Sequence, residues 1–141
     1  MAFRLPGLGG KPQRKTQPKI TYAPVHNGRP DPGEVVWTWV PYEEDPTQGK
    51  DRPVLVLAVG GGRIIALPLT SKDHDRDEQQ EARAGRLWMD VGTGDWDRQH
   101  RPSEVRLNRV LNLSDNVRRE GAALPRAIFD QVLAAAKPYL S

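Results

Sequence analysis

The chain has no cysteine, which excludes a disulfide framework and any thiolate metal site. It has no long apolar run either. No stretch approaches the roughly 20 residues that a membrane-spanning helix needs, so no membrane partner is expected. At 141 residues the chain suits one compact domain rather than two, and its hydrophobic residues make up only 37 %, with a mean hydropathy of −0.67. The opening Met1-Ala2-Phe3-Arg4 shows no apolar leader, and a cytoplasmic protein is the expectation.

Acid is scarce at one end. Residues 1–33 hold six basic residues against the single acid Asp31, a net +5, which leaves fifteen bases against seventeen acids, or −2, in the rest. Such a tail can bind nucleic acid by counterion release or stay a solvated linker. It also contains Pro6, Pro12, Pro18, Pro24, Pro30 and Pro32, which bar helix and paired strand alike. Residues 1–32 are therefore expected to be mostly disordered, with a folded domain over 33–141.

From Gly33 onward the pattern is that of strands. Glu34–Val40 is dense in β-branched and aromatic residues, and Pro41 ends it. Residues 42–52 are polar and read as a loop. Val54–Val59 is continuously apolar, as in a strand buried on both faces, and Gly60-Gly61-Gly62 turns it into a partner strand at 63–69. Residues 86–91 and 103–113 alternate between apolar and polar. Behind Pro125, Ile128, Phe129, Val132 and Leu133 repeat at helical spacing. The fold class is mainly β (α+β): a small barrel of about five strands with a C-terminal amphipathic helix.

Metal and cofactor chemistry find little support. Asp73-His74-Asp75 are adjacent loop residues, which rarely converge on one ion, and His26, His74 and His100 are scattered. No metal and no cofactor are expected. Trp37 and Trp39 lie two apart on one strand face and read as core or dimer-interface residues. Trp96, in a Gly/Asp-rich loop, is the better candidate to stack on an unpaired base.

Five words in order resemble the PemK/MazF family of type II toxin–antitoxin ribonucleases, which share a small SH3-like barrel. They are Gly33-Glu34-Val35-Val36-Trp37, Gly49-Lys50-Asp51-Arg52-Pro53-Val54-Leu55-Val56, Pro68-Leu69-Thr70-Ser71, Glu104-Val105-Arg106-Leu107-Asn108, and Leu124-Pro125 through Leu133. The resemblance covers roughly 33–140. It implies an endoribonuclease acting on single-stranded RNA without a metal, a homodimer, a cognate antitoxin peptide as partner, and a toxin–antitoxin complex that binds DNA.

The resemblance places catalysis on Arg52 and Thr70, with Ser71 beside them. An arginine can fork onto phosphate oxygens and stays charged at any working pH; a hydroxyl can donate to a phosphate oxygen. Arg52 would otherwise pair with Asp51 or Glu44, and the hydroxyls would cap a turn. Arg106 and Asn108 share a strand face, where part of the family carries an Arg-x-Asp pair. Here an amide replaces the acid and exchanges no proton usefully near neutral pH, so Arg106 is left to bind phosphate or to lie on an exposed strand face. Acidic residues in loops 42–52 and 72–83 oppose phosphate binding. A non-catalytic barrel that binds nucleic acid or protein is the alternative reading, and a gyrase-targeting toxin a more distant one.

Overall fold

The computed structural model describes residues 19–25, 28–71, 81 and 83–140. Among them seven strands form one curled, half-barrel sheet: β1 (Glu34–Pro41), β2 (Gly49–Gly60), β3 (Arg63–Ser71), β4 (Trp88–Gly92), β5 (Ser103–Arg106), β6 (Leu111–Ser114) and β7 (Arg119–Ala123). A helix, α1 (Arg126–Ala136), and a 3-10 turn at Lys137–Tyr139 come after them. The order across the sheet is β4-β5-β3-β2-β1-β7, with β6 also paired to β3. The class matches the sequence reading, with seven strands in place of about five. None of the described helices is long and apolar enough to cross a membrane.

The central strands are apolar on both faces because the sheet has a core on each side. Val35, Leu55, Leu57, Leu67 and Leu69 face one core, which Phe129, Val132 and Ala136 of α1 close. Val36, Val40, Val54, Val56, Ile64 and Ala66 face the other, under Leu111, Leu113 and Val117. Period-two alternation sorts one run of residues into two interiors. Each large buried side chain contributes about 1.5–3 kcal/mol. Pro125 caps the N-terminus of α1, its carbonyl accepting the Phe129 N–H at 2.9 Å.

The β2–β3 hairpin sets which residues of the two strands stand level with each other. Gly61 and Gly62 have φ +60° and +76° between the facing residues Gly60 and Arg63, the left-handed pair that a two-residue hairpin turn requires. The register then shifts between Val56 and Ala58, so Leu57 is bulged. Thr21 of the tail donates its N–H to the Leu57 carbonyl at 3.2 Å, satisfying a group that the bulge removes from the ladder.

Four features differ from the sequence reading. The polar loop is shorter than 42–52, because Gly49–Arg52 pair with Thr38–Pro41 and lengthen β2. The alternating run 103–113 is two strands: β5 pairs with Leu69–Ser71 and β6 with Arg63–Ala66, and the chain must turn between them to reach both ends of β3. β7 is a strand that the sequence pattern does not predict. It pairs with β1, and a Cβ at Gly121 would collide with the Val35 carbonyl. Residues 19–25 lie on the barrel, with Ile20 and Tyr22 against the first core and the Tyr22 hydroxyl donating to the Leu124 carbonyl at 2.7 Å. Residues 28–32 of the expected disordered tail are described as well, while residues 1–18, 26 and 27 and the Asp73-His74-Asp75 triplet lie outside the described residues.

Candidate active site

Val54 faces Pro68 across the β2–β3 ladder. Two residues outward along each strand come Arg52 and Thr70, at the same level. There β3 leaves β2 and pairs with β5 instead, Thr70 facing Glu104 and Ser71 facing Ser103. The gap opened by this splay is a cavity of about 210 Å³ lined by Trp37, Lys50, Asp51, Arg52, Pro53, Leu69, Thr70, Ser71, Trp96, Asp97, Arg101 and Ser103. Arg52, Thr70, Ser71 and Trp96 thus meet at one place, whereas Arg106 and Asn108 do not line it.

Arg52 is half-buried. Burial and then the like charge of Arg109 hold its guanidinium below the ordinary arginine range, against the opposing pull of Tyr42 and Glu44. An arginine so displaced still carries its proton near neutrality. Among the described residues it makes no ion pair. Asp51, the nearest expected partner in sequence, instead meets the Arg118 Nε at 3.3 Å. The half-buried Thr70 lies on a strand, not in a turn, so the capping arrangement does not describe it.

Asp97 and Arg101 belong to the cavity although no local signal marks them in the Gly/Asp-rich stretch. The Arg101 Nε donates to Asp97 Oδ2 at 2.8 Å, and the Gln99 N–H donates to Oδ1 at 2.9 Å. Burial works to raise the Asp97 carboxyl, but these hydrogen bonds prevail and hold it below the usual aspartate range. The lining therefore carries Lys50, Arg52 and Arg101 against two carboxylates, each already engaged with an arginine.

Arg106 is 6 % exposed, which corrects the exposed-strand-face reading. Its terminal nitrogens donate to both Glu43 oxygens at 3.0 and 3.2 Å, and its Nε donates to Asn108 Oδ1 at 2.7 Å. The guanidinium also lies 5.9 Å from the Trp88 ring centre. Asn108 further accepts from the Leu87 N–H and donates to the Gly85 carbonyl, tying β5 to the entry of β4. Both residues act as a clasp.

Trp96 is 2 % exposed, its indole N–H donating to Ser103 Oγ at 3.1 Å and its carbonyl accepting from the Trp37 indole at 2.7 Å. It forms the cavity floor and leaves no open ring face, so the stacking expectation is corrected. Trp37 is half-buried and Trp39 is 41 % exposed. The acidic loop is less repulsive than its composition suggests, since Glu43 is neutralised by Arg106 and Asp51 by Arg118.

A family model described as PemK-like, MazF-like toxin of type II toxin-antitoxin system matches residues 31–140. No curated protein matches the chain.

Proposed function

The chain belongs to the PemK-like, MazF-like toxins of type II toxin–antitoxin systems, and from that premise we propose that it is a metal-independent endoribonuclease cutting single-stranded RNA at the Arg52–Thr70 cavity. The family supplies an antitoxin as partner. The observation that carries the catalytic reading is the meeting of Arg52 and Thr70 in one cavity, with the guanidinium in no ion pair among the described residues.

The chemistry rests on what those groups can do. The ribose 2′-oxygen attacks the adjacent phosphorus in line, the bond from phosphorus to the 5′-oxygen breaks, and the proton lost by the 2′-hydroxyl is balanced by one gained at the 5′-oxygen. The products are a 2′,3′-cyclic phosphate and a 5′-hydroxyl. DNA is inert because it lacks the 2′-hydroxyl. Arg52 binds non-bridging oxygens as charge grows on them, in a half-dry site where a fixed cation acts more strongly than in water. Thr70 adds a neutral hydrogen bond to the same oxygens. Asn108 offers no proton transfer, being an amide held in the β4–β5 clasp.

The reading also includes a cytoplasmic homodimer, with the exposed Trp39 as a contact between copies, and an acidic antitoxin segment that competes with RNA for the cavity cations. The test is incubation of purified protein with single-stranded RNA in EDTA, with fragment ends identified by mass spectrometry. Cyclic phosphate and 5′-hydroxyl ends are expected. Intact RNA that is nonetheless bound would favour the non-catalytic module, which the amide at Asn108 motivates. Intact RNA with damaged DNA would point to the gyrase-directed reading.

A further inference from the structure

The loop joining β4 to β5 carries an arrangement that the roles of Arg52 and Thr70 leave unexplained. Asp97 is a carboxylate whose side chain is only 8 % exposed, at the wall of a cavity expected to receive an anion. Burying a carboxylate beside an anion path is unfavourable twice over, through desolvation and through repulsion. The loop is nevertheless built around it. Its backbone carbonyl accepts the His100 N–H at 2.8 Å, its own N–H donates to the Gly94 carbonyl at 3.2 Å, and its Oδ1 takes the Gln99 N–H. What Asp97 holds is the Nε of Arg101, a cavity-lining side chain that stays 35 % exposed.

We infer that Arg101 is a second RNA-binding cation of this cavity, gripping backbone phosphate in the ground state, and that Asp97 is the positioning residue that orients it. The identity of the ligand as single-stranded RNA rests on the proposed function; the assignment of Arg101 rests on the geometry of the loop. The division of labour is specific. Arg52 acts on the charge that develops during reaction and Arg101 on the charge already present, so loss of Arg101 raises KM and Kd while kcat holds.

The experiment uses the full chain and a fluorescein-labelled, 2′-O-methyl RNA oligonucleotide, which cannot be cleaved, with anisotropy recorded over a salt series. Arg101→Ala is expected to weaken binding about tenfold and to lower the slope of log K against log salt by about 0.7, the value for one phosphate contact on a single strand. Arg101→Lys keeps the slope with a smaller loss of affinity. Asp97→Asn is the sharpest arm because two explanations predict opposite signs. Removing a negative charge from an RNA path should tighten binding; removing the group that aims Arg101 should weaken it, and weakening is expected. If Arg101→Ala does not fold with Asp97 left uncompensated, the Asp97→Asn/Arg101→Ala double variant gives the same slope measurement.

An unchanged slope in the variants lacking Arg101, tighter binding by Asp97→Asn, or no binding of the probe by the wild type would each overturn the inference. Failure of the proposed function looks different. Arg101-dependent binding with no cleavage of ordinary RNA removes the catalysis and leaves this assignment standing, whereas cleavage with Arg101-independent binding does the reverse.

Discussion

Arg52 and Arg106 both sit in strand words that resemble one family's pattern, and the protein uses them in opposite ways. Arg52 lines a cavity and makes no ion pair among the described residues. Arg106 is buried beneath Glu43, bonded to Asn108 and set against Trp88. An arginine's position in a motif does not fix its work; the partners within reach of its fork do. A guanidinium already facing a carboxylate at two nitrogens offers little to an incoming phosphate, whereas one held half-dry without a counterion attracts an anion strongly.

The comparison breaks most decisively at Arg52. Arg52→Ala is expected to lower kcat for RNA cleavage about 10²–10³-fold, the usual loss when one donor to a developing oxyanion is removed, with the thermal midpoint nearly unchanged. Arg106→Ala is expected to do the converse. It leaves Glu43 and Asn108 without their shared partner and strips a packed stem from Trp88. A fully buried broken pair costs about 3–5 kcal/mol; Glu43 is half-exposed and can recruit water, so about 2 kcal/mol is expected here, read from urea unfolding. Activity per folded molecule should survive. If Arg106→Ala abolished cleavage with stability intact, the two arginines would belong to one site and the contrast would be lost.

Thr70 sharpens the comparison on a smaller scale. Its hydroxyl is neutral, so Thr70→Ala should reduce kcat about tenfold, near 1.4 kcal/mol, in line with one neutral hydrogen bond. Thr70→Ser keeps the donor and should restore most of the rate. Equal losses in both variants would assign Thr70 a packing role through its methyl group.

Particular residues show how much of this is legible in the sequence. β1, β2 and β3 can be read because Val, Ile and Leu fill both faces, and Gly61-Gly62 declare the turn. The cavity is legible in part. A two-residue turn between Gly60 and Arg63, extended without interruption, sets Arg52 level with Ser71; the bulge at Leu57 moves it level with Thr70. That bulge sits in an unbroken apolar run where no residue type marks it, and a tail residue, Thr21, satisfies its carbonyl. β7 has no signal because Gly121 and its alanines carry no strand preference; pairing with β1 makes the strand. Asp97 and Arg101 are invisible for a related reason, since a turn in the β4–β5 loop brings them together and no period describes it.

The smallest effect tests the clasp itself. Arg106's hydrogen bond holds the Glu43 carboxyl below the usual glutamate range, against a smaller opposing effect of burial. A carboxylate depressed in the folded state adds stability at pH values above its unfolded value of about 4.3, and that stability disappears as pH falls through the lower, folded value. Glu43→Gln keeps the shape and removes the charge, so the wild type should exceed it at pH 7 by less than about 1 kcal/mol, the scale of a solvent-screened pair. The difference should shrink toward zero below about pH 4. Asp97 is also depressed and weakens the fold in acid, but it is common to both proteins and cancels in the difference. A gap that persists unchanged at low pH would mean that Glu43 stabilises by packing rather than by charge. Arg106 would then be a cation without a true counterion, and its separation from Arg52 in function would have to rest on burial alone.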